Sequence, residues 1–212
     1  MARTPAERVG NAQGSGSVCN RDHAGGTTMP ILKGYAIASR EWMIANEDGS
    51  FPEELKCPGD QRFFHAGLRA ADIIIHGRNS GEKRPETARR PRIVLTRRVA
   101  RVERDPQNDR AVVWNPDGAD FSAALGLLGA DGRPEDVAAI LGGTDVFGVF
   151  LGIGYDAFYL SCADVSVPRG RKVFPAAGAP QAQLEAHGLV RRERQQLDAT
   201  PLVMLERWYR RV

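Results

Sequence analysis

The sequence has little of what marks secreted, metal-binding or membrane proteins. Its three cysteines, Cys19, Cys57 and Cys162, are widely spaced and form no Cys-x-x-Cys pair. An odd, scattered set argues against a disulfide framework or a zinc site and favours a reducing compartment. No apolar run approaches the length of a bilayer span, and the first residues lack the apolar stretch of a secretory signal. We therefore expect a cytoplasmic protein with no metal site and no membrane partner.

Net charge is also low, at +3, and gives no indication of nucleic-acid binding. Positive charge is concentrated between Glu82 and Arg104, where nine Lys and Arg face three Glu. Aromatic residues on which bases could stack are not interleaved there. Such a run is usually a solvated surface. It contributes to a site only where the fold brings part of it beside another anion-binding element.

What the chain does have is the composition of one globular domain, with 42% hydrophobic residues over a length of 212. Residues 1–29 are rich in Gly, Ser, Thr and Asn and show no apolar periodicity, which predicts a disordered extension. The folded domain is expected over 30–212.

Segments with strand patterns alternate with helical patterns along this domain. We predict helices at 58–71, 120–132 and 144–154, and strands at 31–39, 72–78, 90–98, 110–116, 135–143 and 155–165. Residues 44–59 are turn-rich and predict a long loop. Alternation of this kind predicts a parallel sheet with crossovers, and two closing strands at 189–198 and 201–211 add an antiparallel hairpin. The predicted class is α/β with a mixed, mainly parallel sheet.

Gly142 and Gly143 lie between a predicted strand and a helix that begins with Thr144 and Asp145. A helix N-terminus offers N–H groups and the positive end of its dipole, and glycines let a phosphate come close. The alternative is a tight turn closed by Thr144 or Asp145 as helix cap. Two glycines alone favour that alternative, because short glycine motifs often occur by chance.

Four motifs in order resemble those of the dihydrofolate reductase superfamily, and most closely the reductase domain of bifunctional riboflavin-biosynthesis deaminase/reductase enzymes. They are Ile44-Ala45 with Asp48–Ser50, "DQRFFHAGLRAADIIIHGRNS" at 60–80, "IVLTRR" at 93–98, and "ILGGTDVFGVFL" at 140–151 with Phe174-Pro175 downstream. The resemblance covers about 31–211 in element order. It implies a three-layer dihydrofolate reductase-like fold, and it favours phosphate binding at the two glycines.

The resemblance also implies an NADPH-dependent oxidoreductase that transfers hydride to a pyrimidine- or pteridine-like substrate, as in riboflavin biosynthesis or in dihydrofolate reductase. Arginine forks and a hydroxyl group suit phosphate oxygens, so Arg78, Thr96 and Arg97 indicate NADPH, whose 2′-phosphate NADH lacks. The cofactor-binding residues that the resemblance implies are Ala38, Ile44, Gly77, Arg78, Asn79, Ser80, Thr96, Arg97, Arg98, Gly142, Gly143, Thr144, Asp145 and Val146.

Three acids are candidates for the group that meets charge developing on the substrate: Glu41, Glu54 and Asp60. Glu54 lies in "PEEL" (52–55), similar to the stretch that carries the pterin-binding acid of dihydrofolate reductases, but it is farther from Gly77 than in that family. Asp60 fits the spacing of the riboflavin type, and its alternative role is a helix N-cap.

Glu41 belongs to Ser39-Arg40-Glu41-Trp42, where riboflavin-type reductases usually have Ser-Leu-Asp-Gly. Trp42 in place of glycine is expected to fill space beside the substrate. This departure leaves open a second hypothesis, a non-catalytic nucleotide-binding or regulatory relative. Riboflavin-type relatives are usually homodimers, so the resemblance implies a homodimer here.

Overall fold

The computed structural model describes residues 29–80, 89–129 and 135–211. The extension predicted over 1–29, apart from Met29, lies outside the described residues. So do Lys83 and Arg84 of the basic run, and the end of the helix predicted over 120–132.

The predicted helices and strands are present, most of them with shorter bounds. The helices are α1 (Pro58–Arg69), α2 (Phe121–Leu128), α3 (Thr144–Ile153) and α4 (Pro180–Ala186), and a 3-10 turn covers Glu53–Leu55. The strands are β1 (Ile31–Ala38), β2 (Met43–Ala45), β3 (Ile73–Gly77), β4 (Arg92–Leu95), β5 (Val102–Arg104), β6 (Ala111–Trp114), β7 (Val137–Ile140), β8 (Ala157–Ala163), β9 (Arg171–Lys172), β10 (Leu189–Ala199) and β11 (Leu202–Arg210).

Nine strands form one sheet in the order β10-β11-β8-β1-β7-β3-β4-β6-β5. The six central strands from β8 to β6 are parallel to one another. β11 pairs antiparallel with β8 and with β10, and β5 pairs antiparallel with β6. The predicted mixed, mainly parallel sheet with an antiparallel C-terminal hairpin is confirmed.

Helices cover both faces of this sheet. Successive side chains of a strand point to opposite faces, so one strand can pack against helices on both sides. In β3, Ile73 and Ile75 belong to the main core with α2, α3 and α4, whereas Ile74 packs with Leu68 of α1 on the other face. Burying one such side chain contributes about 1.5–3 kcal/mol. The result is three layers, with α1 alone on its face among the described helices.

Four short elements had no signal in the sequence: β2, β5, β9 and α4. Each is too short to show a period. β2 and β9 pair with each other, apart from the main sheet, and we call this pair the β2–β9 ribbon. Helix α2 ends sooner than predicted because Gly129 adopts a left-handed φ of 71° and closes it.

None of the helices in the described parts of the chain has both the length and the apolar character needed to cross a membrane. Cys57 and Cys162 are free thiols. Over the same residues, His, Cys, Asp and Glu side chains form no group of three or more suited to holding a metal ion.

Candidate active site

The carboxyl ends of β3, β4 and β7 meet at one edge of the sheet, as expected for neighbouring parallel strands. The Gly77 N–H donates to the Gly142 carbonyl at 3.3 Å, and the Arg78 N–H donates to the Leu95 carbonyl at 3.1 Å. Beyond these strand ends lies a cavity of about 830 Å³. We call it the basic cavity, because Arg78, Arg97, Arg98, Arg171 and Lys172 line it.

The two glycines at the end of β7 have different reasons to be glycine. Gly142 has a φ of 89°, and a Cβ on it would lie 2.6 Å from the ring of Phe147. The fold itself therefore requires Gly142. A Cβ on Gly143 would meet nothing within 4 Å, and Gly143 lines the cavity. Gly143 thus leaves open space that a ligand can fill.

Neither predicted cap closes helix α3. Gly143 is the N-cap residue, with no side-chain hydrogen bond to the helix start. The Thr144 hydroxyl donates instead to the Lys172 carbonyl, and the Asp145 carboxylate lies 3.6 Å from a guanidinium nitrogen of Arg97. The first N–H groups of the helix therefore receive no side-chain cap, and they lie beside the basic cavity.

Arg97 also contacts a second carboxylate, that of Asp117, at 3.2 Å. All three side chains are about two-thirds exposed or more, so these ion pairs are weak and open to competition from an anion. The Thr96 hydroxyl accepts the Arg98 N–H at 3.2 Å. Arg171 and Lys172, which the sequence analysis missed, reach the cavity only because β9 pairs with β2.

Most of the predicted cofactor-binding residues line this cavity. Ala38 and Val146 do not, because both side chains are buried in the main core. The predicted residues that line the basic cavity are Ile44, Gly77, Arg78, Asn79, Ser80, Thr96, Arg97, Arg98, Gly142, Gly143, Thr144 and Asp145.

A second cavity, of about 590 Å³, lies between α1 and the sheet. We call it the aromatic cavity. Tyr35 and Tyr159 contribute rings whose centres are 4.9 Å apart, and the Phe63 ring lies 5.5 Å from that of Tyr159. Phe64 lines the same cavity. These faces are suited to stacking against a flat heterocycle.

Asp60 is the one acid among the described residues that line the aromatic cavity, and it is 8% exposed. Burial raises the pKa of its carboxyl to about 6, with the charge of Asp198 acting in the same direction. A hydrogen bond with Ser161 of β8 lowers the pKa and fixes the carboxyl. Ser161 gave no signal in the sequence, since only strand pairing places it beside α1.

Asp60 does not cap its helix. That role falls to Asp198 of β10, whose carboxylate accepts the Gly59 N–H at 2.8 Å and the Asp60 N–H at 3.2 Å. A bulge between Gln196 and Asp198 interrupts the strand register at this point. The carboxyl of Asp60 is thereby left for the cavity.

The other two candidate acids lie elsewhere. Glu54 is exposed on the 3-10 turn and lines neither cavity. Glu41 also lies outside both, and hydrogen bonds from Val167, Ser39 and Ser166 lower the pKa of its carboxyl to about 2. A carboxyl held ionised in this way does not supply a proton.

Trp42 does not fill the site. It has a φ of 66°, in the left-handed region where glycine is the usual residue. Its side chain packs against the main core and lines neither cavity. The expected obstruction beside the substrate is absent at this residue.

The two cavities adjoin. Both are lined by Ile44, Ala45, Gly49, Asn79, Ser80 and Gly143. A ligand that fills the basic cavity and extends past Gly143 therefore reaches the opening of the aromatic cavity.

No protein-family model matches the sequence, and no curated protein matches it. Solved structures do match. Enterococcus faecalis dihydrofolate reductase, complexed with NADP(H) and RAB-propyl, has a TM-score of 0.59 at 19% identity, over 86% of this chain and 97% of that one. A structure described as a riboflavin biosynthesis protein, from Shewanella sp. PV-4, has a TM-score of 0.59 at 14% identity, over 86% and 99%.

A third structure is the diaminohydroxyphosphoribosylaminopyrimidine deaminase/5-amino-6-(5-phosphoribosylamino)uracil reductase of Thermotoga maritima, with a TM-score of 0.56 at 17% identity. The match covers 86% of this chain but only 57% of that longer protein. The chain therefore has the dihydrofolate reductase-like fold, and the resemblance seen in the sequence motifs is confirmed at the level of fold.

Proposed function

We propose that the protein is an NADPH-dependent reductase that transfers hydride to a pyrimidine- or pteridine-like heterocycle. One observation carries the proposal. A buried carboxyl with a raised pKa, Asp60, lies in an aromatic cavity that shares a wall with a basic, glycine-lined cavity at a helix N-terminus. Reduction of a C=N bond needs a hydride on carbon and a proton on nitrogen, and the two cavities are suited to these two tasks.

In the basic cavity, Gly143 and the start of α3 would receive the pyrophosphate of NADPH. Arg78, Thr96 and Arg97 lie at the ends of β3 and β4, where a 2′-phosphate would be bound. Arg171 adds positive charge from the β2–β9 ribbon. NADPH supplies the hydride when bound, and the shared wall would bring its nicotinamide to the substrate. The Enterococcus faecalis structure, which holds NADP(H) in the same fold, supports this choice of cofactor.

In the aromatic cavity, Asp60 would bind the heterocycle and deliver the proton. A pKa of about 6 leaves roughly one carboxyl in ten protonated at pH 7, close to the poise that general acid catalysis favours. Ser161 holds the carboxyl in position. Tyr35, Phe63 and Tyr159 would stack on the substrate and keep water from the reacting atoms.

The non-catalytic alternative depended on Trp42 occupying the site. That side chain packs against the core and lines neither cavity, so obstruction of the site by Trp42 no longer supports the alternative. Assembly as a homodimer and a cytoplasmic location stay predictions from the resemblance and the composition. Light scattering on the purified protein would test the first.

The experiment that tests the function follows the absorbance of NADPH. Dihydrofolate, oxidised and dihydro pterins, and the phosphoribosylamino-pyrimidine precursor of riboflavin are offered in turn. We expect oxidation of NADPH with one of these classes and slower oxidation of NADH. Tight NADPH binding without turnover on any class would favour the non-catalytic alternative. Failure to bind NADPH would overturn both.

A further inference from the structure

The turn between β1 and β2 is built around two side chains that the proposed chemistry does not use. Ser39 is fully buried, and its hydroxyl donates to a carboxylate oxygen of Glu41 at 2.8 Å. The same hydroxyl accepts the backbone N–H groups of Glu41 at 3.2 Å and of Met43 at 3.3 Å. The Glu41 carboxylate, which is partly exposed, is thereby held towards a segment far along the chain.

That segment follows β8. Ser166 donates its hydroxyl to Glu41 at 2.8 Å, and the backbone N–H of Val167 donates to the same carboxylate at 2.9 Å. We call Ser39, Glu41, Ser166 and Val167 the Glu41 clamp. Three donors converge on one carboxylate, and its lowered pKa keeps it ionised at any ordinary pH. Hydrogen bonds to an ionised acceptor are stronger than those to a neutral one.

The clamp lies where both strands of the β2–β9 ribbon begin. The turn at 39–42 leads into β2, and the segment at 165–167 leads through 168–170 into β9. The ribbon is close-packed, because a Cβ on Gly170 would lie 2.1 Å from the Ala45 carbonyl oxygen. It supplies Ile44 and Ala45 to both cavities, and Arg171 to the basic cavity.

We infer that Glu41 is a positioning residue that fixes the β2–β9 ribbon, which forms part of the common wall of the two cavities. It contacts neither cavity and acts through the strands that leave the clamp. Its effect on cofactor binding rests on the proposed function, whereas its effect on the ribbon does not.

The chain offers a matched control for this inference. Arg40 and Asp164 join the same two segments by an ion pair at 2.8 Å, but both side chains are more than half exposed. Asp164→Asn and Glu41→Gln each remove one negative charge with little change in shape. In Glu41→Gln an amide NH₂ replaces one of the two oxygens that accept the three hydrogen bonds, and the remaining bonds lose the strength that an ionised acceptor gives them. An exposed ion pair contributes little, so Asp164→Asn controls for the loss of one negative charge at this junction.

The first measurement needs no ligand. Hydrogen–deuterium exchange is compared for the wild type, Glu41→Gln and Asp164→Asn. We expect exchange about tenfold or more faster in Glu41→Gln, confined to peptides spanning 39–51 and 165–175, with Asp164→Asn close to the wild type. Ser166→Ala, which removes one of the three donors, should give a smaller increase in the same peptides. Should Glu41→Gln fold poorly, Ser166→Ala against Asp164→Asn makes the same comparison.

The second measurement titrates NADPH by its fluorescence. We expect Glu41→Gln to weaken binding by about tenfold while Asp164→Asn changes it by less than twofold. Unchanged exchange in the 39–51 peptides would overturn the positioning role, and so would faster exchange with unchanged NADPH affinity. If the wild type itself fails to bind NADPH, the proposed function falls, and the exchange result still decides whether Glu41 fixes the ribbon.

Discussion

The two cavities use opposite physical means. The basic cavity is made from exposed cations, backbone N–H groups and a glycine, and one of its cations, Arg97, forms weak surface ion pairs. The aromatic cavity is made from rings and one buried acid whose pKa is raised by desolvation. One is built to receive a charged, mobile ligand, and the other to shift a proton equilibrium.

The difference predicts how substitutions will behave. Changes in the basic cavity should alter binding of the cofactor and leave the chemistry of bound substrate intact. Changes at the acid should leave the cofactor bound and stop the reaction. A substitution in one cavity that changed both cofactor binding and the chemical step would contradict this division of roles between the cavities.

The largest effect is expected from Asp60→Asn. An amide cannot deliver the proton, so turnover should fall by about 10²- to 10⁴-fold. The dissociation constant of NADPH should stay within about twofold, since Asp60 lines the aromatic cavity and not the basic one. Steady-state rates and fluorescence titration check the two halves. Asp60→Glu serves as the control that keeps an acid, and near-normal turnover in Asp60→Asn would remove the acid from the mechanism.

The two glycines should separate binding from folding. Gly143→Val places methyl groups in the space that the pyrophosphate would take, and should weaken NADPH by about 100-fold with little change in melting temperature. Gly142→Ala meets Phe147 and a left-handed φ, and should lower the free energy of unfolding by about 2 kcal/mol. Calorimetry and thermal melts measure both. If Gly143→Val destabilises the protein as much as Gly142→Ala does, the proposal of a phosphate site at the start of α3 is wrong.

The raised pKa of Asp60 should make the wild type lose stability as pH rises. The folded pKa is about 6 and the ordinary value is 3.8, so between these pH values the unfolded chain holds fewer protons than the folded one. Stability therefore falls over this window and stays reduced above it, by about 3 kcal/mol in total.

Asp60→Asn has no carboxyl at this position, so it does not undergo this pH-dependent loss of stability. Relative to the wild type, the variant should gain about 3 kcal/mol in unfolding free energy between pH 3.5 and pH 8. Denaturant unfolding at the two pH values, with both proteins treated alike, cancels the contributions of other groups. A constant difference between the two proteins would mean that the pKa is not raised.

The smallest effect is expected at Arg97. Its guanidinium already lies beside Asp117 and Asp145, so a phosphate gains only the difference between these partners. Arg97→Ala should weaken NADPH by about tenfold and leave NADH nearly unchanged. Asp117→Asn removes one competitor and should tighten NADPH by about threefold. Equal affinity of the wild type for NADPH and NADH would contradict the proposed recognition of the 2′-phosphate.

The sequence predicted the basic cavity better than the aromatic one, for a physical reason. Gly142, Gly143 and Thr144 are adjacent along the chain, and the ends of parallel strands meet wherever the sheet order places them side by side. A local pattern was therefore enough. Ser161 and Asp198 act on Asp60 only through the pairing of β8, β11 and β10, which no local pattern records.

The roles of the three candidate acids likewise depend on contacts between segments that are far apart in the sequence. Asp60 fits the spacing of the riboflavin type, but from the sequence it stays one of three candidates, because an Asp near a helix start is commonly a cap. Only the folded chain shows that Asp198 performs the capping. At Glu41 and Trp42, the sequence shows only that these residues differ from the Ser-Leu-Asp-Gly pattern of riboflavin-type reductases. In the structure, one of them ties two segments together and the other turns the backbone.

The cap on α1 also affects the order in which the parts of the site form as the chain is synthesised and folds. Asp198 lies 138 residues after Asp60, in the hairpin that ends the sheet. A growing chain that has completed α1, β1 and β8 already holds Asp60 and Ser161, yet neither the cap nor the nearby negative charge exists. Burial accounts for most of the raised pKa, and the acid acquires its final proton affinity only when β10 has paired and brought Asp198 to the start of α1.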